Sequence, residues 1–137
     1  MNRKKILNGG KSYYIHPIFT NYAASKDGEI LNVKTERILK KKLTYQGYYQ
    51  FKISDKNLIK PKTYYIHRFE WECVRGVIPE GFVIDHIDSV KTNNKIENLQ
   101  LLSQKVLEKE IVNLYYHLIL KITNKKIMKV LLLLHSN

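Results

Sequence analysis

One cysteine, Cys73, stands in a chain of 137 residues. A lone thiol cannot close an internal disulfide or build a thiolate zinc site, so a disulfide scaffold and a zinc ribbon are excluded and a reducing compartment is favoured. Long apolar runs are also missing. The longest stretch is far below the roughly 18 residues of a membrane span, and the charged start, Met1 to Asn8, is not followed by the apolar run of a signal peptide. An intracellular chain without a membrane partner is expected. No internal repeat is found, and the length suits one domain or two very small ones rather than a large barrel enzyme.

Acidic residues are scarce at the start of the chain. Residues 1–62 hold 14 Lys and Arg against 4 Asp and Glu, whereas residues 63–137 hold 10 against 8. The net charge of +12 therefore sits almost entirely in the first half. A basic half beside a near-neutral half fits a protein that meets a polyanion, and nucleic acid suits it better than a membrane because the basic half lacks an amphipathic helix. Hydrophobic residues at 44% and charged residues at 26% are values of a folding chain.

The first half reads as short strands and turns. Lys26-Asp27-Gly28 is a turn signal before the β-prone stretch Glu29 to Val33, and Arg37 to Leu43 leads through Gln46-Gly47 into Tyr48 to Ile53. Thr63 to Ile66 reads as a further strand. Residues 67–75 carry Phe69, Trp71, Cys73 and Val74 at spacings that suit a short helix on the sheet, closed by Gly76. Phe82-Val83-Ile84 is a brief buried strand that ends at Asp85, and a polar loop runs from Ser89 to Glu97. Residues 98–102 form a second short strand, and Ser103 is a fitting N-cap for a helix starting at Gln104. Beyond Val106 the chain turns Leu- and Ile-rich, over 111–122 and 127–134, which suggests a pair of helices.

The densest chemistry lies in Asp85-His86-Ile87-Asp88. A carboxylate can hold a hard cation beside a phosphate, and a neutral imidazole can deprotonate water. Neighbouring strand residues point to opposite faces, so Asp85 and His86 share a site only where the strand breaks into the loop.

Three stretches carry a resemblance: Tyr65 to Trp71, Gly81 to Asp88, and Lys91 to Leu99. Together they closely resemble the HNH endonuclease family, in its phage and large-virus homing type with a ββα-metal (His-Me finger) site. Upstream, Asn21 to Ile30 resembles the small DNA-binding module called NUMOD4 that often precedes that nuclease.

The resemblance implies an α+β fold: a basic, β-rich, NUMOD4-like module over 1–62, a nuclease core over 63–105, and an atypical helical tail over 106–137. It implies that His86 is the general base, Asp85 ligates one Mg²⁺ or Mn²⁺ ion, and Asn98 ties the loop down. Asn94 is expected to brace the loop through side-chain to backbone bonds, and Asp88 to cap it. Lys34, Arg37, Lys40, Lys41, Lys42 and Lys52 are the expected DNA contacts. His67 and Arg68 match the family's helix start, with His67 read as packing or phosphate-contacting. The implied partner is double-stranded DNA, met by a monomer. The implied reaction is hydrolysis of a phosphodiester bond.

One position departs from the pattern. In the family, the helix after the second strand supplies a further Asn or His as metal ligand within a basic stretch. Here the place is taken by Lys105-Val106-Leu107-Glu108, and Leu107 cannot bind a metal. A frameshift near codon 106 would explain the Leu-rich tail. Val106 to Asn113 back-translates as GTACTAGAAAAAGAAATAGTAAAT, which read two bases later gives Thr-Arg-Lys-Arg-Asn-Ser-Lys, resembling the family's basic continuation. The alternatives are a catalytically dead DNA-binding remnant, or a diverged helix in which Glu108 or Asn113 serves as ligand.

Overall fold

The computed structural model describes residues 4–135, the side chains of 106–108 excepted. The chain divides into two units, Met1–Leu102 and Ser103–Asn137. The first opens with five antiparallel strands in sequence order: β1 (Lys5–Asn8), β2 (Lys11–Ile15), β3 (Tyr22–Ala24), β4 (Ile30–Asn32) and β5 (Arg37–Ile38). Gly9 and Gly10 join β1 to β2 at φ of 58° and 80°, a pair of left-handed residues that suits a tight hairpin.

A second antiparallel sheet holds β6 (Lys42–Leu43), β7 (Tyr49–Ile53) and β8 (Lys62–Tyr65). The helix α1 (Ile66–Val74) follows directly. Then β9 (Phe82–His86) pairs with β10 (Leu99–Ser103) after a 3₁₀ turn over Ile96–Asn98. The second unit carries α2 (Gln104–His135).

The architecture is α+β, with three differences of detail from the sequence reading. The stretch Arg37 to Leu43 is split between two sheets, because Leu39 N–H turns back to Ile30 O at 2.8 Å before β6 begins. β1, β2 and β3 are strands that the sequence reading does not include. The tail is a single helix rather than a pair; Thr123 does not break it, since its hydroxyl donates to Ile119 O one turn back. Among the described residues, no helix is long and apolar enough to cross a membrane.

The main core joins all the early elements. Tyr22, Ala24 and Ile30 of the first sheet meet Phe51 and Ile53 of the second and Ile66, Phe69 and Cys73 of α1. Ile66, Phe69 and Cys73 recur at helical spacing and form the buried stripe. Ala23, between Tyr22 and Ala24, faces the opposite side with Tyr13 and Leu31, as the two-residue period of a strand requires. The expected module boundary after residue 62 falls inside β8, and α1 draws core partners from both sides of it.

A buried polar network pins α1 to the first sheet. His16 Nδ1 accepts the backbone N–H of Ile18 and of Phe19, so its proton lies on Nε2, which donates to Glu72 Oε2 at 2.5 Å. The Tyr64 hydroxyl reaches both Glu72 oxygens at 3.1 Å. The His16 ring stacks on Phe69, 4.4 Å between centroids. Burial, reinforced by the Glu72 charge, raises the Tyr64 phenol above its ordinary range.

Candidate active site

β9 delivers Asp85 and His86 in succession and ends at His86. Asp85 is half-buried, and its Oδ2 accepts from Gln100 Nε2 of β10 at 2.8 Å. His86 is buried, with Nε2 2.8 Å from Asn94 Oδ1. A carbonyl oxygen only accepts, so Nε2 is the donor, and in the neutral ring Nδ1 is the nitrogen with the lone pair.

The loop between β9 and β10 is tied by three side chains. Asn98 Nδ2 donates to Asp88 Oδ1 at 2.9 Å and to Asn93 O at 2.8 Å, and Asn93 Nδ2 donates to Asp88 Oδ2 at 2.8 Å. Asp88 Oδ1 also accepts the Val90 N–H at 2.8 Å. These bonds, Asn93 first, hold the Asp88 carboxyl below its usual range. Asn94 stands apart from this bracing and turns its side chain to His86 instead.

A stack of rings backs the imidazole. Tyr48 lies 5.2 Å from His67, centroid to centroid, and His67 lies 5.0 Å from His86. His67 is buried, and desolvation, aided by His86 and Arg68, pushes it down to about 4. It is neutral near pH 7. Lys91 of the loop sits over the Tyr48 ring at 4.9 Å and donates to Gln46 O at 2.9 Å, so the β6–β7 turn and the loop hold one another.

Lys40, Lys42 and Lys52 gather with Gln50 and Thr63 around a groove of about 290 Å³ on the second sheet. Lys41 turns away over the ring of Tyr49, at 4.6 Å. Lys34 and Arg37 lie exposed at the β4–β5 turn, outside that groove, and Arg68 is half-buried on α1. Tyr48, Asn93 and Gln100 are additions to the sequence reading. Asn93 had a signal, its place beside Asn94 in an Asn-rich loop; Tyr48, just before β7, had one in its place among lysines and tyrosines, and Gln100 had none beyond lying on a strand.

Residues 64–109 match the family model described as HNH endonuclease. Over this segment the chain is similar to the HNH endonuclease family. The match runs four residues past Lys105, where the resemblance visible in the sequence stops. The chain is 31% identical over 86 residues to DNA endonuclease I-HmuI of Bacillus phage SP01, covering 63% of this chain and 48% of that protein. It is 31% identical over 64 residues to the uncharacterized gene 5.3 protein of Enterobacteria phage T3, covering 47% of this chain and 63% of that one. A solved structure, described as DNA binding and cleavage by the HNH homing endonuclease I-HmuI, superposes with a TM-score of 0.57 at 29% identity, over 75% of this chain and 62% of that one. The chain thus spans about half the length of the first of these relatives.

As a candidate metal ligand, the end of β9 offers Asp85. Among the described residues no three His, Cys, Asp or Glu side chains gather as a metal cluster. That donor set suits Mg²⁺ or Mn²⁺, which keep several waters and share substrate phosphate oxygens, and does not suit zinc, which takes three or four protein ligands. The side chains of Leu107 and Glu108 lie outside the described residues, and Asn113 is exposed on α2.

Proposed function

We propose that this chain hydrolyses phosphodiester bonds of double-stranded DNA with one Mg²⁺ or Mn²⁺ ion held by Asp85. The observation that carries the reading is the His86–Asn94 bond, which takes up Nε2 and leaves Nδ1 as the nitrogen that can accept a proton, one residue after Asp85 at the end of β9. His86 Nδ1 takes a proton from the attacking water, and Asn94 Oδ1 steadies the imidazolium that results. Neutral His67 adds no competing charge. Gln100 holds Asp85 Oδ2 and so fixes the carboxylate's orientation. The ion, when bound, supplies charge stabilisation at the leaving oxygen.

The basic groove of Lys40, Lys42 and Lys52 is the proposed backbone contact, within an N-terminal half of NUMOD4 type. The protein would work as a monomer, inside the cell where its substrate lies. Nicking of supercoiled plasmid in Mg²⁺ or Mn²⁺, with loss on chelation, tests the reading. Binding without nicking in either metal would leave the second reading, a DNA-binding remnant. What favours that alternative is α2, where large apolar side chains from Ile111 to Leu134 are exposed, as expected of a tail not selected for folding.

A further inference from the structure

The turn between β3 and β4 is built tightly. Ser25 accepts the Gly28 N–H on its carbonyl at 3.3 Å and the Glu29 N–H on its hydroxyl oxygen at 3.0 Å, and that hydroxyl donates to Asp27. Ser25 is fully buried. The nuclease loop rests on this turn at two points. Lys26 O accepts the Ile96 N–H at 2.8 Å. Two residues earlier in the loop, Asn94 presses on Gly28 so closely that a Cβ at residue 28 would lie 2.9 Å from Asn94 Cβ. Gly28 has φ of 86° and is walled on its other sides by Ile66 and Glu70. No side chain fits between the first sheet and Asn94.

The geometry points to Gly28 as a positioning residue for His86: its missing side chain lets the β3–β4 turn seat Asn94 where Oδ1 receives the His86 Nε2 proton. The inference rests on the nuclease reading for its consequence in catalysis, and on the Gly28–Asn94–His86 contacts for its structural content. The N-terminal half then does more than bind DNA. It sets which ring nitrogen of His86 is the base, because a displaced Asn94 no longer selects the Nε2–H tautomer. A methyl at residue 28 must move Asn94, since real Cβ atoms do not approach to 2.9 Å.

The test uses the full chain. The ring nitrogens of His86 are read by ¹⁵N NMR, and plasmid nicking and DNA affinity are measured alongside. The unaltered protein should show the Nε2–H tautomer. Gly28→Ala should give a mixture of tautomers and slow nicking on the order of tenfold or more, with affinity kept, since misplacement of a catalytic group acts on the chemical step. Gly10→Ala is the control for backbone strain. Gly10 has φ of 80° and open space where a Cβ would sit, with nothing within 4 Å, so both readouts should stay as they are.

If Gly28→Ala yields no folded protein, adding Asn94→Gly should restore folding, because it removes the atom the new methyl meets. An unchanged tautomer in Gly28→Ala, an equal effect from Gly10→Ala, or a failed rescue would each overturn the proposal. A tautomer change in a protein that nicks in no metal would support the positioning role and sink the nuclease reading, which keeps the two separable.

Discussion

The rings of His67 and His86 lie 5.0 Å apart with their planes inclined by 53°. Two imidazoles at this distance divide their duties. His86 has a partner that fixes its proton, whereas His67 is packed against Tyr48 and held neutral by its surroundings. Replacing His86 by Ala should therefore abolish nicking with DNA affinity nearly intact. His67→Phe should keep much of the activity, because it preserves the ring stack. Equal loss in both variants would show that His67 takes part in the chemistry.

The pH dependence of stability should carry two opposed signatures. His67 falls from 6.5 to about 4 on folding, so protonation below 6.5 favours the unfolded chain and stability drops as pH falls from 6.5 toward 4. Glu70 is fully buried with neither oxygen hydrogen-bonded, and desolvation raises it from 4.5 to about 9. Its contribution is complete below 4.5 and is lost as pH rises to about 9. Between 4.5 and 6.5 the two slopes cancel; above 6.5 only the Glu70 loss remains. Glu70→Gln should remove the alkaline decline and raise stability at pH 7 by about 3 kcal/mol. Urea unfolding across this range measures it, and a parallel decline in Glu70→Gln would show that another group is responsible.

The groove lysines predict a salt effect. Changing Lys40, Lys42 and Lys52 to Gln should flatten the dependence of DNA affinity on salt by up to about 0.9 log unit for each phosphate left without its lysine, equally for all sequences. Lys34→Gln, outside the groove, should act separately and additively. An unchanged slope in the triple variant would make the groove a solvated edge.

The Leu107 position gives a gain-of-function test that rests on the family resemblance. The chain as it stands should nick slowly, Leu107→Asn should raise the rate, and rewriting the chain from Val106 in the alternative frame should raise it further. Robust Mg²⁺-dependent nicking by the unaltered chain would remove the frameshift hypothesis and direct attention to Glu108 or Asn113.

Much of the second half of the first unit was legible because its chemistry is local. A buried strand ending in Asp85-His86, a loop of Asn and Lys, and a second strand announce themselves in about twenty consecutive residues. The β1–β2 hairpin also carried a signal, Gly9-Gly10 between β-prone stretches, masked by the lysines around it. Glu70 and Glu72 were not legible. On a short helix two glutamates read as the solvent face, yet both are buried here, one by the His16 and Tyr64 network and the other without a hydrogen bond against Gly28. Their positions depend on residues far away in sequence, which no helical spacing reports. The tail misled in the opposite way, since the polar residues between the apolar stretches 111–122 and 127–134, Lys125 and Lys126 among them, suggested a break that α2 runs through.

The shared core has a consequence for retargeting. Tyr22 donates its hydroxyl proton to Ser54 O and accepts the Ser54 N–H, while its ring joins Ile66, Phe69 and Cys73 beneath α1. Joining residues 63 onward to a different N-terminal half, spliced at residue 62, would strip α1 of its floor and leave Phe69 facing water. A chimera meant to cut at a new address must carry Tyr22, Ala24 and Ile30 across with α1, so the smallest transplantable cassette begins at the first sheet.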